Sequence, residues 1–316
     1  MSRSIILVAL ASLGGCSPAP VSEVTDTGAA VEQDSDTTDE VQWADFKLPM
    51  ADTLFAVWSA PAATWAFGAN GAAWKVIGQS QSSLDAAVGD GAFAGVFGRM
   101  DGDSPVITLV GDSGLVTSFA DNEFSSTDLG TANFLDVDGT AAGGRVTAVG
   151  WGGLYRKSAD SWSYVDTPGL ARLSAVRIGE TTDYAVGDEG VVLSSLAGGE
   201  WMVLDSGTTI DLHAIDGTSD NDVWVVGGKG TILHYDGVAW TLVDSGIEAS
   251  LWGVWVAPNG EVFVVGNNGV ALRGGMEGFI QIPTGVDANL YAVHGRSASD
   301  VWAVGNRGQI IRYTGR

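Results

Sequence analysis

The sequence predicts an all-β fold, a seven-bladed β-propeller of four-stranded antiparallel blades, because one repeat runs through most of the chain. A Gly-x-x-Gly motif occurs seven times, and its first glycines lie 43, 39, 37, 40, 39 and 39 residues apart, the length of a propeller blade. The seven copies begin at Gly68, Gly111, Gly150, Gly187, Gly227, Gly266 and Gly305. Two sets of aromatic residues keep the same period and support the same division into blades.

The aromatic sets also predict how the ring closes. One set precedes the motif by three residues, at Trp65, Tyr184, Trp224, Phe263 and Trp302. The other set comprises Phe124, Trp162, Trp201, Trp240 and Phe279, and its next member would fall beyond Arg316. A similar segment at Trp43 precedes the first repeat. We therefore predict that a strand near Trp43 is the outer strand of the last blade, which leaves no long exposed sheet edge.

Blade 5 shows the expected order of strands from the inside outward. The predicted strands are 212–215, 223–226, 231–235 and 240–243. The second strand is apolar throughout, as expected when both faces of a sheet are covered. The Gly-x-x-Gly then forms a tight hairpin whose second glycine takes a positive φ, whereas a phosphate-binding loop would need a following helix. Residues 77–90 fit the repeat poorly and predict an irregular outer strand in blade 1.

The first 15 residues predict a lipoprotein signal peptide. Arg3 supplies a positive charge, and the apolar run from residue 5 to residue 13 is far shorter than the roughly 20 residues that span a bilayer. The run ends in Leu-Gly-Gly-Cys, which resembles the bacterial lipobox, so Cys16 is predicted to be acylated. The alternative is an ordinary secretory signal followed by a chance cysteine. Ser17 resembles an outer-membrane sorting residue of enteric bacteria.

Residues 16–42 predict a disordered tether. The segment holds seven acidic residues and no Lys or Arg, and it has too little apolar surface to offset the entropy of ordering. A role as a specific acidic ligand is the alternative. With residues 43–316 as the propeller, this organisation predicts a secreted protein of the bacterial cell envelope. Its only membrane contact would be the lipid on Cys16, at the outer membrane or cell surface.

The stretch Val-Trp-Val-Val-Gly-Gly-Lys-Gly-Thr-Ile-Leu-His-Tyr-Asp-Gly-Val-Ala-Trp at residues 223–240 resembles the blade motif of bacterial BNR or Asp-box-related propellers. Over residues 43–316 the rhythm is most similar to photosystem II assembly and stability factors. The resemblance implies a protein-binding role without catalysis. It departs from a true Asp-box, Ser-x-Asp-x-Gly-x-x-Trp, because Asp236 and Gly237 are adjacent, so sialidase chemistry is not implied.

Charge and residue spacing exclude or disfavour several functions. The chain has 15 Lys and Arg against 38 Asp and Glu; with Arg3 and seven acids lying before Trp43, the propeller keeps 14 against 31. Such a surface repels nucleic acid. The arginines lie in different repeat phases, which argues against a sialidase-like cluster. No catalytic residue is assigned, and paired-carboxylate glycoside hydrolysis is the residual enzymatic possibility.

No metal or cofactor is predicted. The histidines are His213, His234 and His294, and they occupy different repeat phases, so they do not predict a shared metal site. The acids Asp216, Asp220 and Asp222 invite a calcium site, but their spacing is not that of an EF-hand and their composition is typical of turns.

Three acid and base pairs lie 12 residues apart around the hairpin motif. They are Asp222 with His234, Glu261 with Arg273, and Asp300 with Arg312. Folding each hairpin at its motif places the two side chains diagonally across two strands. We predict surface pairs within each blade, each stabilising the fold by about 0–1 kcal/mol.

The predicted ligand face contains the hairpin motifs and the starts of the inner strands, which share one side of a propeller. Its predicted residues are Asn70, Asp112, Trp151, Asp188, Lys229, Asn267 and Arg307 from the motifs, and Phe55, His213, Trp252 and Tyr291 from the inner strands. Aromatic and polar groups together suit a protein loop or a glycan. The alternative is that these side chains pack between blades or face water.

These observations predict a non-catalytic, lipid-anchored propeller that binds an envelope or extracellular protein. The alternative is a glycan-binding or glycan-cleaving propeller, which requires an exposed aromatic residue beside two convergent carboxylates. A third reading is a purely structural surface module, which would show uniform charge and no aromatic patch.

Overall fold

The chain forms seven antiparallel sheets of four strands each, arranged as the blades of a closed ring. The computed structural model describes residues 43–46, 48–84, 88, 91–130, 132–159, 161–169 and 172–315. The predicted signal peptide, Cys16 and the tether lie outside these residues. In the described ranges, no helix has the length and apolar character needed to cross a membrane.

The strands of each blade run from the central axis to the rim in chain order. Blade 1 comprises Leu54–Ser59, Thr64–Gly68, Ala73–Ile77 and Ser80–Ser83. Blade 2 comprises Phe93–Asp101, Ser104–Gly111, Leu115–Ala120 and Glu123–Asp128. Blade 3 comprises Phe134–Gly139, Val146–Gly150, Gly153–Ser158 and Ser161–Val165. Blade 4 comprises Leu173–Ile178, Thr182–Gly187, Val192–Leu196 and Trp201–Leu204.

The remaining blades follow the same order. Blade 5 comprises Leu212–Ser219, Asp222–Gly227, Ile232–Tyr235 and Trp240–Val243. Blade 6 comprises Leu251–Val256, Val262–Gly266, Ala271–Gly275 and Gly278–Gln281. Blade 7 comprises Leu290–Ser297, Asp300–Gly305, Ile310–Tyr313 and, from the other end of the described chain, Trp43–Asp45. The strands predicted for blade 5 are confirmed, except that the inner strand is longer.

The ring closes through the strand at Trp43, as predicted. Trp43 pairs with Tyr313 and Asp45 pairs with Ile311 in an antiparallel register. The Trp43 ring is buried and its centroid lies 5.4 Å from that of Tyr313. The last blade is therefore completed by two distant parts of the chain.

The predicted irregular outer strand of blade 1 is wrong. Ser80–Ser83 pairs in regular register with the third strand, from Trp74 with Ser83 to Ile77 with Ser80. All four residues are exposed and none is apolar. The outer strand itself is therefore regular, polar and exposed, and residues 85–87, 89 and 90 of the segment lie outside the described part of the chain.

The two positions of the Gly-x-x-Gly motif require glycine for different physical reasons. The second glycine has a positive φ in all seven copies, from 66° at Gly308 to 93° at Gly153, which confirms the prediction. The first glycine has an extended backbone but lies against the segment that enters the inner strand. A Cβ on Gly266 would lie 2.4 Å from the carbonyl oxygen of Ser250. The motif therefore encodes both a turn and a close backbone approach.

The three predicted pairs within blades are present. Asp222 Oδ1 lies 2.8 Å from His234 Nε2, which is the first pair. The other two join Arg273 Nε to Glu261 Oε1 at 2.5 Å and Arg312 Nε to Asp300 Oδ1 at 2.8 Å. Four of the six residues are partly exposed, whereas His234 and Asp300 are buried, so the prediction of surface pairs holds fully only for Glu261 with Arg273. The pairs help to fix the register of neighbouring strands.

Candidate functional site

One end of the ring carries the hairpin motifs and the starts of the inner strands, and we call this end the turn face. Leu54 at the start of the inner strand of blade 1 pairs with Gly68, the first motif glycine. The backbone N–H of Ala69 donates to the carbonyl oxygen of Thr53 at 2.9 Å. The same arrangement recurs around the ring, so the predicted ligand-face residues share one face.

The inner strands surround a central channel of about 400 Å³. Their second residues lie nearest the turn face and are Phe55, Ala94, Leu135, Ser174, His213, Trp252 and Tyr291. The four aromatic members come from blades 5, 6, 7 and 1, which are consecutive in the closed ring. We call these four the aromatic arc. The opposite half of the mouth has shorter side chains, which leaves it open.

The aromatic arc is continuous. The ring of His213 stacks on Trp252 with centroids 4.1 Å apart and an interplanar angle of 14°. Trp252 is 6.0 Å from Tyr291, and Tyr291 is 5.6 Å from Phe55. All four side chains are partly exposed to the channel mouth. Aromatic groups that are held together yet accessible are typical of binding surfaces.

Hydrogen bonds fix two rings of the arc. Trp252 Nε1 donates to Asn267 Oδ1 at 2.7 Å, so this predicted ligand-face residue orients an aromatic neighbour. His213 Nδ1 lies 2.7 Å from the carbonyl oxygen of Leu251, to which it must donate. Burial lowers the pKa of His213, which keeps its imidazole neutral near pH 7. The neutral ring therefore carries its proton on Nδ1 and presents Nε2 as an acceptor.

The deeper channel wall contains acidic residues that link neighbouring blades. Each accepts a hydrogen bond from a backbone N–H of the next inner strand. The bonds join Asp136 Oδ2 to Val176 N at 2.9 Å, Asp138 Oδ2 to Ile178 N at 2.7 Å, and Asp216 Oδ2 to Val256 N at 2.7 Å. The inner strands of neighbouring blades belong to separate sheets and are not paired through their backbones. The carboxyl groups supply the acceptors that these backbone N–H groups need.

The fifth residue of an inner strand contacts the inner strand of the next blade, and the type of contact depends on the residue. Trp58 and Trp255 lie over Gly98 and Gly295, where a Cβ would clash with the indole rings. At the seam between blades 7 and 1, His294 Nδ1 instead accepts from the backbone N–H of Ser59 at 3.1 Å. Burial lowers the pKa of His294 to about 4, so this acceptor stays neutral.

The channel carboxyl groups are unusually weak acids. Burial is the main cause, and it raises the pKa of Asp136 and of Asp138 to about 7 and that of Asp216 to about 6. Repulsion from Asp138 and Asp216 adds to the effect at Asp136, and repulsion from Asp222 adds to it at Asp216, whereas backbone hydrogen bonds oppose it at all three groups. Sequence reasoning did not single out Asp136 and Asp138. The signal for Asp136 was an acid at the third position of an inner strand, where the other blades have Ala or Gly. Asp138 occupies the fifth position, where the other blades vary from Trp to Arg, so it had no such signal.

We expect the propeller to become less stable as the pH rises from 5 to 8. In this range the folded channel holds protons that the unfolded chain, with an ordinary aspartate pKa of 3.8, has released. This contribution is complete below about pH 4 and is lost as the pH rises through about 7. Melting temperatures measured across the range should fall, and Asp138→Asn should flatten the slope. An unchanged slope in that variant, matching the exposed control Asp244→Asn, would contradict the expectation.

The predicted residues of the motifs lie around the rim and do not converge on one point. Asn70, Asp112, Lys229 and Arg307 are exposed. Asn70 Nδ2 donates to Asp52 Oδ1 at 2.7 Å. The structure thus brings the inner-strand members of the predicted set together as the aromatic arc, while these four motif residues remain separate.

Trp151 and Asp188 form a second feature of the rim. Trp151 is 67% exposed in a two-residue hairpin. The Arg172 guanidinium lies 4.9 Å from the centroid of the Trp151 ring, and its Nη1 is 3.8 Å from Asp188 Oδ1. The arginine therefore links two of the predicted residues across the seam between blades 3 and 4.

The calcium interpretation of Asp216, Asp220 and Asp222 is not supported by their positions. Asp216 lies in the channel wall and Asp222 contacts His234. Asp220 accepts backbone hydrogen bonds from residues 180, 181 and 182 of blade 4. Within the described part of the chain, no group of three or more His, Cys, Asp or Glu residues is placed to hold a metal ion.

Comparisons with known proteins agree on the fold. No family model and no curated protein matches the chain. The solved structure of YCF48 bound to D1 peptide has a TM-score of 0.68 at 19% identity, covering 87% of this chain and 96% of that one. YCF48 from Cyanidioschyzon merolae gives 0.69 at 16%, covering 86% and 98%. The WD40 β-propeller domain of Doa1 gives 0.72 at 14%, covering 86% and 96%.

Proposed function

We propose that this protein is a non-catalytic, lipid-anchored β-propeller that binds a protein partner at the bacterial cell envelope through its turn face. The observation that supports this function most strongly is the aromatic arc of His213, Trp252, Tyr291 and Phe55 at the channel mouth. Rigid aromatic side chains are enriched among the residues that dominate protein interfaces. The exposed polar residues of the motifs form the kind of rim that surrounds such a centre.

The comparisons support binding without catalysis. Similar propellers include YCF48, which is described in complex with a D1 peptide, and the WD40 propeller of Doa1. The channel carboxyl groups of Asp136, Asp138 and Asp216 each bond to the backbone of the next blade. A structural role accounts for these acids without a reaction.

The anchor is proposed from the sequence of the first 42 residues. Acylated Cys16 would hold the protein on the membrane, and the acidic tether would separate the ring from the surface. A single chain of lipid gives weak binding, whereas the two chains of a diacylated cysteine give stable attachment. The variant Cys16→Ser is expected to lose the incorporation of radiolabelled palmitate that the wild-type chain shows, because the thiol is the group that is acylated. Equal incorporation of the label by that variant would contradict the anchor.

A glycan ligand is the second candidate, because the aromatic arc lies above the carboxyl groups of the same channel. Sugar rings stack on aromatic side chains, and paired carboxyl groups are the usual catalysts of glycoside hydrolysis. This candidate predicts binding on a glycan array, with or without cleavage.

The test is capture from an envelope extract with the purified full chain carrying Cys16→Ser. We expect a protein partner whose recovery falls at least about tenfold for the double variant Trp252→Ala with Tyr291→Ala, because central aromatic contacts dominate interfaces. Tyr164→Ala is the matched control, since Tyr164 is 56% exposed on an outer strand away from the channel. Equal recovery with both variants would contradict binding through the turn face, and a glycan signal without a protein would favour the second candidate.

A further inference from the structure

We infer that the channel mouth receives a cationic side chain, an arginine or a lysine, that the protein partner presents to the aromatic arc. This inference rests on the proposed function, because it specifies the chemistry by which the turn face recognises its partner.

The aromatic arc supplies the first reason. A cation is attracted to the face of an aromatic ring when it lies within about 6 Å of the ring centroid. The rings of Trp252, Tyr291 and Phe55 follow one another at 6.0 Å and 5.6 Å. A cation seated between two neighbours therefore lies within reach of both. His213 stacks behind Trp252 and is neutral, so it adds no repulsive charge.

The charges beneath the arc supply the second reason. Among the described residues that line the channel, three carboxyl groups accompany one guanidinium, that of Arg177. Arg177 Nη2 donates to the carbonyl oxygen of Gly217 at 3.1 Å, and its Nη1 lies 3.7 Å from Asp220. The guanidinium is thus directed to a seam between blades 4 and 5. Asp136 lies next to Leu135, a residue of the mouth, and its carboxyl group places negative charge within the channel as the pH rises through its pKa of about 7.

The shape of the mouth supplies the third reason. The half opposite the arc contains Ala94, Leu135 and Ser174, which are small or short enough to leave an opening. The channel volume of about 400 Å³ is within the range of ligand pockets and accommodates one long side chain. An extended side chain can enter so that its charged group lies at the faces of the arc, on the side of the channel carboxyl groups.

The charge of the whole protein favours the same partner. The chain has a formal net charge of −23, and the turn face carries exposed acids such as Asp112 and Asp211. Such a surface attracts basic segments and repels acidic ones over a distance of about 10 Å at ordinary ionic strength. A partner segment with an exposed arginine or lysine therefore complements both the rim and the channel.

The test uses four fluorescent peptides with one Gly-Ser host sequence and a different central residue. The central residues are arginine, lysine, citrulline and norleucine, so that each cation has a neutral counterpart of similar shape. Binding to the full chain carrying Cys16→Ser is measured by fluorescence anisotropy. We expect the arginine and lysine peptides to bind at least about tenfold more tightly than citrulline and norleucine, as expected for a desolvated cation at aromatic faces. Equal affinity within each pair would overturn the inference, and so would a lack of binding by all four.

Two variants locate the interaction. Tyr291→Leu removes one ring of the arc. Asp136→Asn, compared with wild type at pH 8, where this carboxyl group is mostly ionised, removes a charge while keeping an oxygen that can accept from Val176. We expect each to weaken binding of the arginine peptide about five- to thirtyfold without changing that of the citrulline peptide. Tyr164→Leu on an outer strand should have no effect. If Asp136→Asn fails to fold, the binding measured with Tyr291→Leu tests the inference alone. The ring of Tyr291 is partly exposed, so its replacement should leave the fold intact.

The inference and the proposed function fail in different ways. Capture of a partner that depends on Trp252 and Tyr291, together with no preference for cationic peptides, would overturn the inference and leave the proposed function intact. A preference for cationic peptides that Tyr291→Leu and Trp252→Leu both leave unchanged would overturn the inference, because the cation would then bind elsewhere.

Discussion

Gly266→Ala is expected to destabilise the propeller by about 3 kcal/mol or more. The added Cβ would lie 2.4 Å from the carbonyl oxygen of Ser250, and the N–H of Asn267 donates to that same oxygen at 3.0 Å. Relief of the overlap must therefore move backbone that enters the inner strand of blade 6. Urea denaturation of wild type and variant measures the loss as a shift in midpoint.

Gly275→Ala is the matched control in the same blade. A Cβ on Gly275 would meet no atom within 4 Å, and its φ is not positive. We expect a change of less than about 0.5 kcal/mol. If the two substitutions gave similar losses, the cost would come from the removal of a glycine in general rather than from the close approach at the motif.

Arg145→Met is expected to cost about 3–5 kcal/mol, because it leaves a buried carboxylate without its cation. Asp183 is 1% exposed, and Arg145 Nη1 contacts both of its oxygens, at 3.0 and 3.1 Å. Arg145 Nη2 donates to the carbonyl oxygen of Gly179 at 2.6 Å. One arginine of blade 3 thus stabilises two groups of blade 4.

The double variant Arg145→Met with Asp183→Asn should recover much of this loss, because the buried group is then neutral. Burial already raises the pKa of Asp183, so the single variant should lose less stability at low pH, where the carboxyl group is protonated. Arg99→Met is the control: Arg99 lies 3.8 Å from Asp101, which is 73% exposed, and its loss should cost less than about 1 kcal/mol. A double variant as unstable as the single one would refute this account.

Much of the architecture could be predicted because the repeat reports local geometry. The strands of one blade follow one another in the chain, so the motif glycines and the pairs 12 residues apart depend on contacts within a hairpin. The outer strand at Trp43 was predictable for a related reason, since its aromatic residue fills the missing position of a periodic set. Blade 1 shows the limit, because a polar outer strand such as Ser80–Ser83 leaves no hydrophobic pattern to detect.

The candidate site was predictable only in part. The sequence placed Phe55, His213, Trp252 and Tyr291 on inner strands. It did not show that they are neighbours, because Phe55 and Tyr291 meet only after the ring has closed. The motif residues share a face, as the sequence indicated, but those of different blades are held apart by the width of the ring.

By itself, the sequence determined the seven blades, their strand order, the closing strand and the face on which the motifs lie, because each follows from a period near 39 residues. Only the tertiary structure decided which side chains meet across the seams and in the channel. Asp136, Asp138 and Asp216 line one cavity, and Arg145 reaches Asp183 in the next blade. These contacts join residues about 40 or more positions apart, and their partners are set by the packing of blades around an axis rather than by any local pattern.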